Sequence, residues 1–152
     1  MLKGGILFAG RFEYAIDDKS RVSIPAKFRE MLSTHHDMRL IFTNLDGCVV
    51  GYPFQEWLNI QEKISNRSSM KKEERLFLRY FFSGASECTI DRLGRVLLPQ
   101  ALKTDAHIIK NVVIIGMGKK IEIWAKEKWE ELVKQATSDP DQIASIVSEL
   151  GL

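Results

Sequence analysis

The side chains most able to do chemistry lie in two stretches that are versions of one another: DDKSRVSIPAKFR, Asp17 to Arg29, and DRLGRVLLPQALK, Asp91 to Lys103. Each sets an aspartate four residues before an arginine, Arg21 or Arg95, and closes an apolar run with a proline, Pro25 or Pro99. A guanidinium is a rigid fork that can take two phosphate oxygens, or O6 and N7 of guanine, in parallel hydrogen bonds. The same fork fits a carboxylate, so each arginine has two candidate roles, contact with DNA or bracing of a turn against its own aspartate. Lys19, Lys27 and Arg29 accompany the first copy, and Arg92 and Lys103 the second. Each stretch therefore carries a net charge of +2 in a chain that totals +2.

The elements that must position these groups follow from local chemistry. Asp17 and Asp91 open turns, where a carboxylate accepts backbone N–H groups. The residue before the arginine is Ser20 in one copy and Gly94 in the other; glycine adopts a positive φ freely, whereas serine does so at a cost of about 1 kcal/mol. The first turn is therefore expected to be strained or differently shaped. Pro25 and Pro99 end the following strands and preset φ for short helices, the first with Phe28, Met31 and Leu32 inward and Lys27 and Arg29 outward.

Each copy continues with two apolar runs around a turn signal, MRLIFTNL and CVVGY about Asp46-Gly47, then NVVIIGM and IEIW about Gly118-Lys119. The segments PFQEWLNIQEKI and AKEKWEELVKQA read as helices, with Trp57 and Trp129 equivalent, and a last helix closes each copy, Met70 to Phe82 and Pro140 to Leu150. Asp139 stands at the N-cap of the latter, with proline after it. The fold class expected is α+β. Two tandem units, 1–82 and 83–152, each comprise a small β-structure with a short helix and then C-terminal helices. Units of about 75 residues are near the size where burial is marginal, and a one-sided sheet so small calls for pairing with its copy or with another chain.

Composition excludes more than it selects. The 152 residues are 45% hydrophobic and 28% charged, with 22 basic against 20 acidic side chains, the profile of a globular protein whose basic sites must be local. Cys48 and Cys88 form no CxxC pair and read as reduced, buried hydrophobes. His35, His36 and Asp37 diverge on consecutive positions, and His107 has only Asp105 beside it, so no metal site and no cofactor is expected. The apolar start MLKGGILFAGRFEYAID is interrupted too soon for a signal peptide or a membrane span, which reads as a cytoplasmic protein. No G-x-S-x-G, P-loop or H-E-x-x-H is present, and no enzyme activity or small-molecule ligand is expected. Trp57, Trp124 and Trp129 read as packing residues, as do the clustered aromatics of MKKEERLFLRYFF.

The stretches IDDKSRVSIPAKFRE and IDRLGRVLLPQALK, with NRSSMKKEERLFLRYFFSGASECTID between them, resemble the MraZ family and, through it, the AbrB-type swapped-hairpin transcription factors. The resemblance implies two AbrB-like (double-split β) units per chain and a ring-shaped homo-oligomer. It also implies a transcriptional regulator, associated with the nucleoid, that binds double-stranded DNA at short direct repeats upstream of its own cell-division and cell-wall operon. Carried onto this sequence, Arg21 and Arg95 are the motif arginines, Asp17 and Asp91 their structural partners, and Lys19, Lys27, Arg29, Arg92 and Lys103 adjacent basic candidates. Pro25, Pro99 and Gly94 complete the motif, and Ser20 departs from its usual glycine. The first copy, richer in cations, is expected to be the principal DNA reader and the second mainly to build the ring. The alternative is an AbrB-like oligomeric scaffold or antitoxin-like protein-interaction module.

Overall fold

The computed structural model describes residues 5–152; the first four, part of the interrupted apolar start, lie outside it. Eight strands and six helices follow in chain order among the described residues: β1 Phe8–Ala15, β2 Arg21–Ser23, α1 Ala26–Thr34, β3 Arg39–Leu45, β4 Cys48–Pro53, α2 Phe54–Ser65 and α3 Lys72–Ser83. The second copy repeats the series with β5 Ser86–Thr89, β6 Arg95–Leu97, α4 Gln100–Asp105, β7 Asn111–Gly118, β8 Ile121–Ala125, α5 Lys126–Ala136 and α6 Pro140–Leu150. The fold is α+β, and local signals account for its boundaries. Pro25 and Pro99 stand at the starts of α1 and α4. Asp46 and Gly47, at φ 56° and 84°, make the tight turn between β3 and β4. Asp139 caps α6 by accepting the N–H groups of Asp141 and Gln142.

The copies do not fold side by side. Six strands form one antiparallel sheet in the order β1-β7-β8-β4-β3-β5, and β2 and β6 form a separate two-stranded ribbon. Only the β3–β4 and β7–β8 hairpins are local; β1 pairs with β7, β5 with β3, and the motif strands with each other. Asp17 and Asp91 open turns as expected, but the two strands that each turn joins do not pair with each other. The strands on either side of each turn are hydrogen-bonded to the opposite copy, so each turn is a crossing point between the halves.

The register shows why the exchange closes. Val22 faces its own counterpart Val96 in the ribbon. Val50 faces Glu122, its counterpart once two residues have been lost between the motifs, where β4 meets β8. Phe12 opposite Ile114 is mirrored by Ser86 opposite Phe42. An approximate two-fold axis therefore passes between the paired valines and on between Val50 and Glu122. The sheet that one copy could not complete alone is completed by the other.

Alternation along the strands buries both sheet faces. On one side Phe28, Leu32, Leu40, Phe42, Val49, Leu102, Ile114 and Ile123 pack beneath the ribbon, α1 and α4, together with Val22, Ile24, Val96 and Leu98. Phe28 takes edge contacts from both Phe8 and Phe12. On the other side Ile41, Val50, Tyr52, Trp57, Phe81, Val113 and Trp124 pack beneath the longer helices. The equivalent tryptophans behave alike, Trp57 buried and Trp129 half-buried against the same cluster. The aromatics of α3 divide, Phe81 facing the core while Phe77 and Tyr80 remain exposed. No helix among the described residues is long and apolar enough to cross a membrane.

Candidate nucleic-acid interface

The ribbon is where the two motifs meet. Because Val22 and Val96 are buried, the flanking positions of each strand point the other way. Arg21 lies opposite Leu97 and Arg95 opposite Ser23, so both arginines project from one outward face, on a diagonal across the two strands. Such diagonal neighbours are about 7–8 Å apart.

Each arginine is braced in the same way. Asp17 Oδ1 accepts the backbone N–H groups of Lys19 and Arg21 at 2.9 and 2.8 Å, and its Oδ2 accepts Arg21 Nε at 2.7 Å. Asp91 repeats this with the N–H groups of Leu93 and Arg95, both at 2.9 Å, and with Arg95 Nε at 3.2 Å. The backbone N–H of Arg21, then its guanidinium and the N–H of Lys19, hold the Asp17 carboxyl below its ordinary value. The N–H groups of Arg95 and Leu93, with the Arg95 charge, do the same for Asp91. The bracing role is thus met in both copies, each arginine being held by its own aspartate. Nε braces the turn, while the two Nη groups find no acceptor among the described residues.

The turns are alike despite their different residues. Ser20 has φ 63° and Gly94 φ 80°. Each donates its N–H to the motif aspartate carbonyl, at 3.1 Å from Ser20 and 3.0 Å from Gly94. Their own carbonyls extend the ribbon, Ser20 O accepting Leu98 N–H and Gly94 O accepting Ile24 N–H. Serine therefore takes the left-handed conformation, and the first turn is not reshaped.

The remaining basic residues separate into two groups. Lys19, Lys27 and Arg92 are exposed near the ribbon. Arg29 does not point outward as expected: its Nε donates to Ile24 O at 3.0 Å, and its guanidinium covers Gly94, where a Cβ would lie 2.7 Å from Cζ. Lys103, its counterpart, donates from Nζ to Ser20 Oγ at 2.7 Å. Sequence reasoning missed this crossed pair. Its signal was present in the two copies, which differ at the turn and again at the position that covers the opposite turn.

The histidines gather nothing. His35 and His36 are exposed, and Asp37 is occupied by Arg39, which grips both its oxygens at 2.9 and 2.8 Å and lies over the Phe54 ring. Among the described residues no three His, Cys, Asp or Glu side chains come together as a metal site. Cys48 and Cys88 are both free thiols, Cys48 buried and Cys88 half-buried.

A family model described as "MraZ protein, putative antitoxin-like" matches the chain twice, over residues 7–80 and 81–145. Among similar proteins, a "Transcriptional regulator MraZ" of Clostridium tetani is 43% identical over 146 residues, covering 96% of this chain and all of the relative. Proteins of the same name from Clostridium acetobutylicum and Pediococcus pentosaceus are 42% and 37% identical, with the same coverage.

Proposed function

Since the chain belongs to the MraZ family, we propose that it is a transcriptional regulator that inserts the paired motif strands into DNA. A two-stranded antiparallel ribbon is narrow enough to enter the major groove. The observation that carries the reading is the diagonal placement of Arg21 and Arg95 on the outward face of that ribbon, each held by its aspartate through Nε with the Nη end left for an acceptor. Lys19, Lys27 and Arg92 add exposed charge beside it and serve phosphates. Arg29 and Lys103 act on DNA indirectly, by fixing the turns from which the arginines project.

The function follows as sequence-specific binding of short direct repeats upstream of its own cell-division and cell-wall operon, by a homo-oligomeric ring acting at the nucleoid. We read residues 1–82 and 83–152 as the two repeats, which jointly supply one ribbon rather than two separate readers. Several ribbons on one assembly would engage successive repeats, raising avidity without any new contact. The test is a fluorescence anisotropy titration of the DNA upstream of its gene over a salt series. Repeat-dependent binding that weakens steeply with salt supports the reading; equal binding to scrambled DNA of the same length would sink it.

A further inference from the structure

Past Phe42 and its counterpart Ile114 the two halves of the sheet differ. β7 runs on beside β1, Gly116 facing Gly10 and Gly118 facing Phe8, so closely that a Cβ on Gly116 would lie 2.3 Å from Ala9 N. β5 instead stops where Ser86 faces Phe42, because the chain before it is helix α3, and residues 43–45 have no strand on that side. The result is an open cavity of about 650 Å³ between the end of α3 and α4, with Asn44, the counterpart of Gly116, in its lining. Asn44 is only 7% exposed. Its Nδ2 donates to Leu102 O at 3.3 Å, while its Oδ1 accepts no hydrogen bond among the described residues. No fully enclosed side-chain oxygen or nitrogen among those residues lacks a partner, so this oxygen is open to the cavity. Gly84 keeps the space clear: a Cβ there would lie 2.9 Å from Thr43 Oγ1 and 3.6 Å from Asn44 Oδ1. On the α4 wall Asp105 Oδ2 accepts Tyr80 Oη at 2.6 Å, and no basic side chain among the described residues pairs with this carboxylate. The cavity therefore holds two unmet acceptors, a nearly buried amide oxygen and a charged carboxylate oxygen, and a bound donor would satisfy both.

We propose that this cavity binds a small organic ammonium compound, its cationic end on Asp105 and a second N–H or O–H donor on Asn44 Oδ1. The charge-assisted bond to the carboxylate supplies most of the affinity, and the same carboxylate turns anions away. The second half of the molecule has no equivalent place, because β1 fills it, so one site per chain is expected. The occupant also touches an element that reaches the ribbon. Helix α4 carries Lys103, two positions before Asp105, and Lys103 Nζ donates to Ser20 Oγ at 2.7 Å in the turn that sets Arg21. Binding at Asp105 steadies α4 and, through Lys103, the Ser20 turn. The site rests neither on the DNA reading nor on the self-association put forward above.

The experiment compares three probes of like size on the full-length protein at constant ionic strength: 4-aminobutanamide, neutral butanamide and anionic succinamate. Ligand-observed saturation-transfer NMR should show saturable binding of 4-aminobutanamide, about fivefold or more tighter than butanamide, with succinamate weakest. Asp105→Asn should erase the preference for the cation. No saturable binding of 4-aminobutanamide, binding equal to that of butanamide, or a preference unchanged in Asp105→Asn overturns the site; the comparison of probes on the wild type decides the matter even if the variant fails to fold. Hydrogen exchange read by mass spectrometry supplies the second readout. With 4-aminobutanamide bound, exchange should slow in peptides covering residues 100–108 and also in those covering 17–23, the latter effect being lost in Lys103→Ala. Slowing confined to 100–108 overturns the link through Lys103 while the site stands, and slowing elsewhere with none at 100–108 overturns the site.

Discussion

Lys103 Nζ donates to Ser20 Oγ at 2.7 Å, in the place where the opposite half of the molecule sets Arg29 over Gly94. The two contacts are one contact related by the approximate two-fold axis, with both partners changed together. Where the turn residue has no side chain, the broad guanidinium lies flat on it; where a serine stands, the slender ammonium reaches its hydroxyl. Gly94→Ser alone should therefore lower stability by about 1–3 kcal/mol, because it adds a Cβ at φ 80° against Arg29. Combined with Arg29→Lys it should recover at least ~1 kcal/mol, a coupling expected of residues in direct contact. Urea unfolding of the two single variants and the double variant measures this; strict additivity would show that the paired change has no physical link.

Arg21 and Arg29 are only eight positions apart and carry the same charge, yet the geometry separates their roles. Arg21→Ala removes a guanidinium whose Nη groups have no acceptor among the described residues, so DNA affinity should fall about tenfold or more and specificity should relax. Arg29→Ala removes a hydrogen bond to Ile24 O and the cover of Gly94, so its main effect should be a loss of about 1–3 kcal/mol of folding stability. Anisotropy and urea melts on both variants decide the matter, and an Arg29→Ala protein of normal stability with lost affinity would reverse the assignment.

How much of this was legible in the sequence can be argued from the same residues. The copied D-x-x-x-R stretches point to the strands, the short helices and the exposed Lys19 and Lys27, because turn chemistry and alternation are local, but the expectation that Arg29 also lies outward fails. The caps followed for the same reason, as Asp139 shows. That each copy needs a partner sheet was legible; which strands the copies exchange was not. Val22 is equally content beside a neighbour in its own copy or beside Val96, and only the three-dimensional closure of the sheet selects the latter. The crossed contacts of Arg29 and Lys103 depend on that exchange, so no reading confined to one copy could reach them. The left-handed Ser20 was foreseen as a difficulty; its solution was held by a residue 83 positions away.

The carboxyls of Asp17 and Asp91 should titrate below their ordinary value of 3.8. Both are held as anions by backbone N–H groups and an arginine, which stabilises the charged form only in the folded chain. The sign follows: the contribution to stability is fully present above the unfolded value near 3.8 and is lost as pH falls through the lower folded value. Carboxyl carbon NMR shifts followed on acidification measure the two midpoints. A midpoint at or above 3.8 for Asp17 would mean that the brace on Arg21 is absent in solution.

The outward face of the ribbon is not symmetric, and this bears on the kind of DNA site it can read. Arg21 stands opposite Leu97 while Arg95 stands opposite Ser23, and Leu97 is 59% exposed. The exposed Lys19 of one turn is likewise matched by Leu93 in the other. A two-fold face would favour a palindrome. A face with one apolar and one hydroxyl flank has a direction: the leucine can meet a thymine methyl, and the serine hydroxyl can bond to a base edge or phosphate. Each ribbon should therefore prefer one orientation of its site, as a direct repeat requires. In DNA bearing two such sites, inverting one should weaken binding by the wild-type protein by about tenfold, on the scale of 1–3 kcal/mol for lost base contacts. Leu97→Ser should narrow that difference. Equal binding to both arrangements by the wild type would mean that Leu97 and Ser23 do not face the bases.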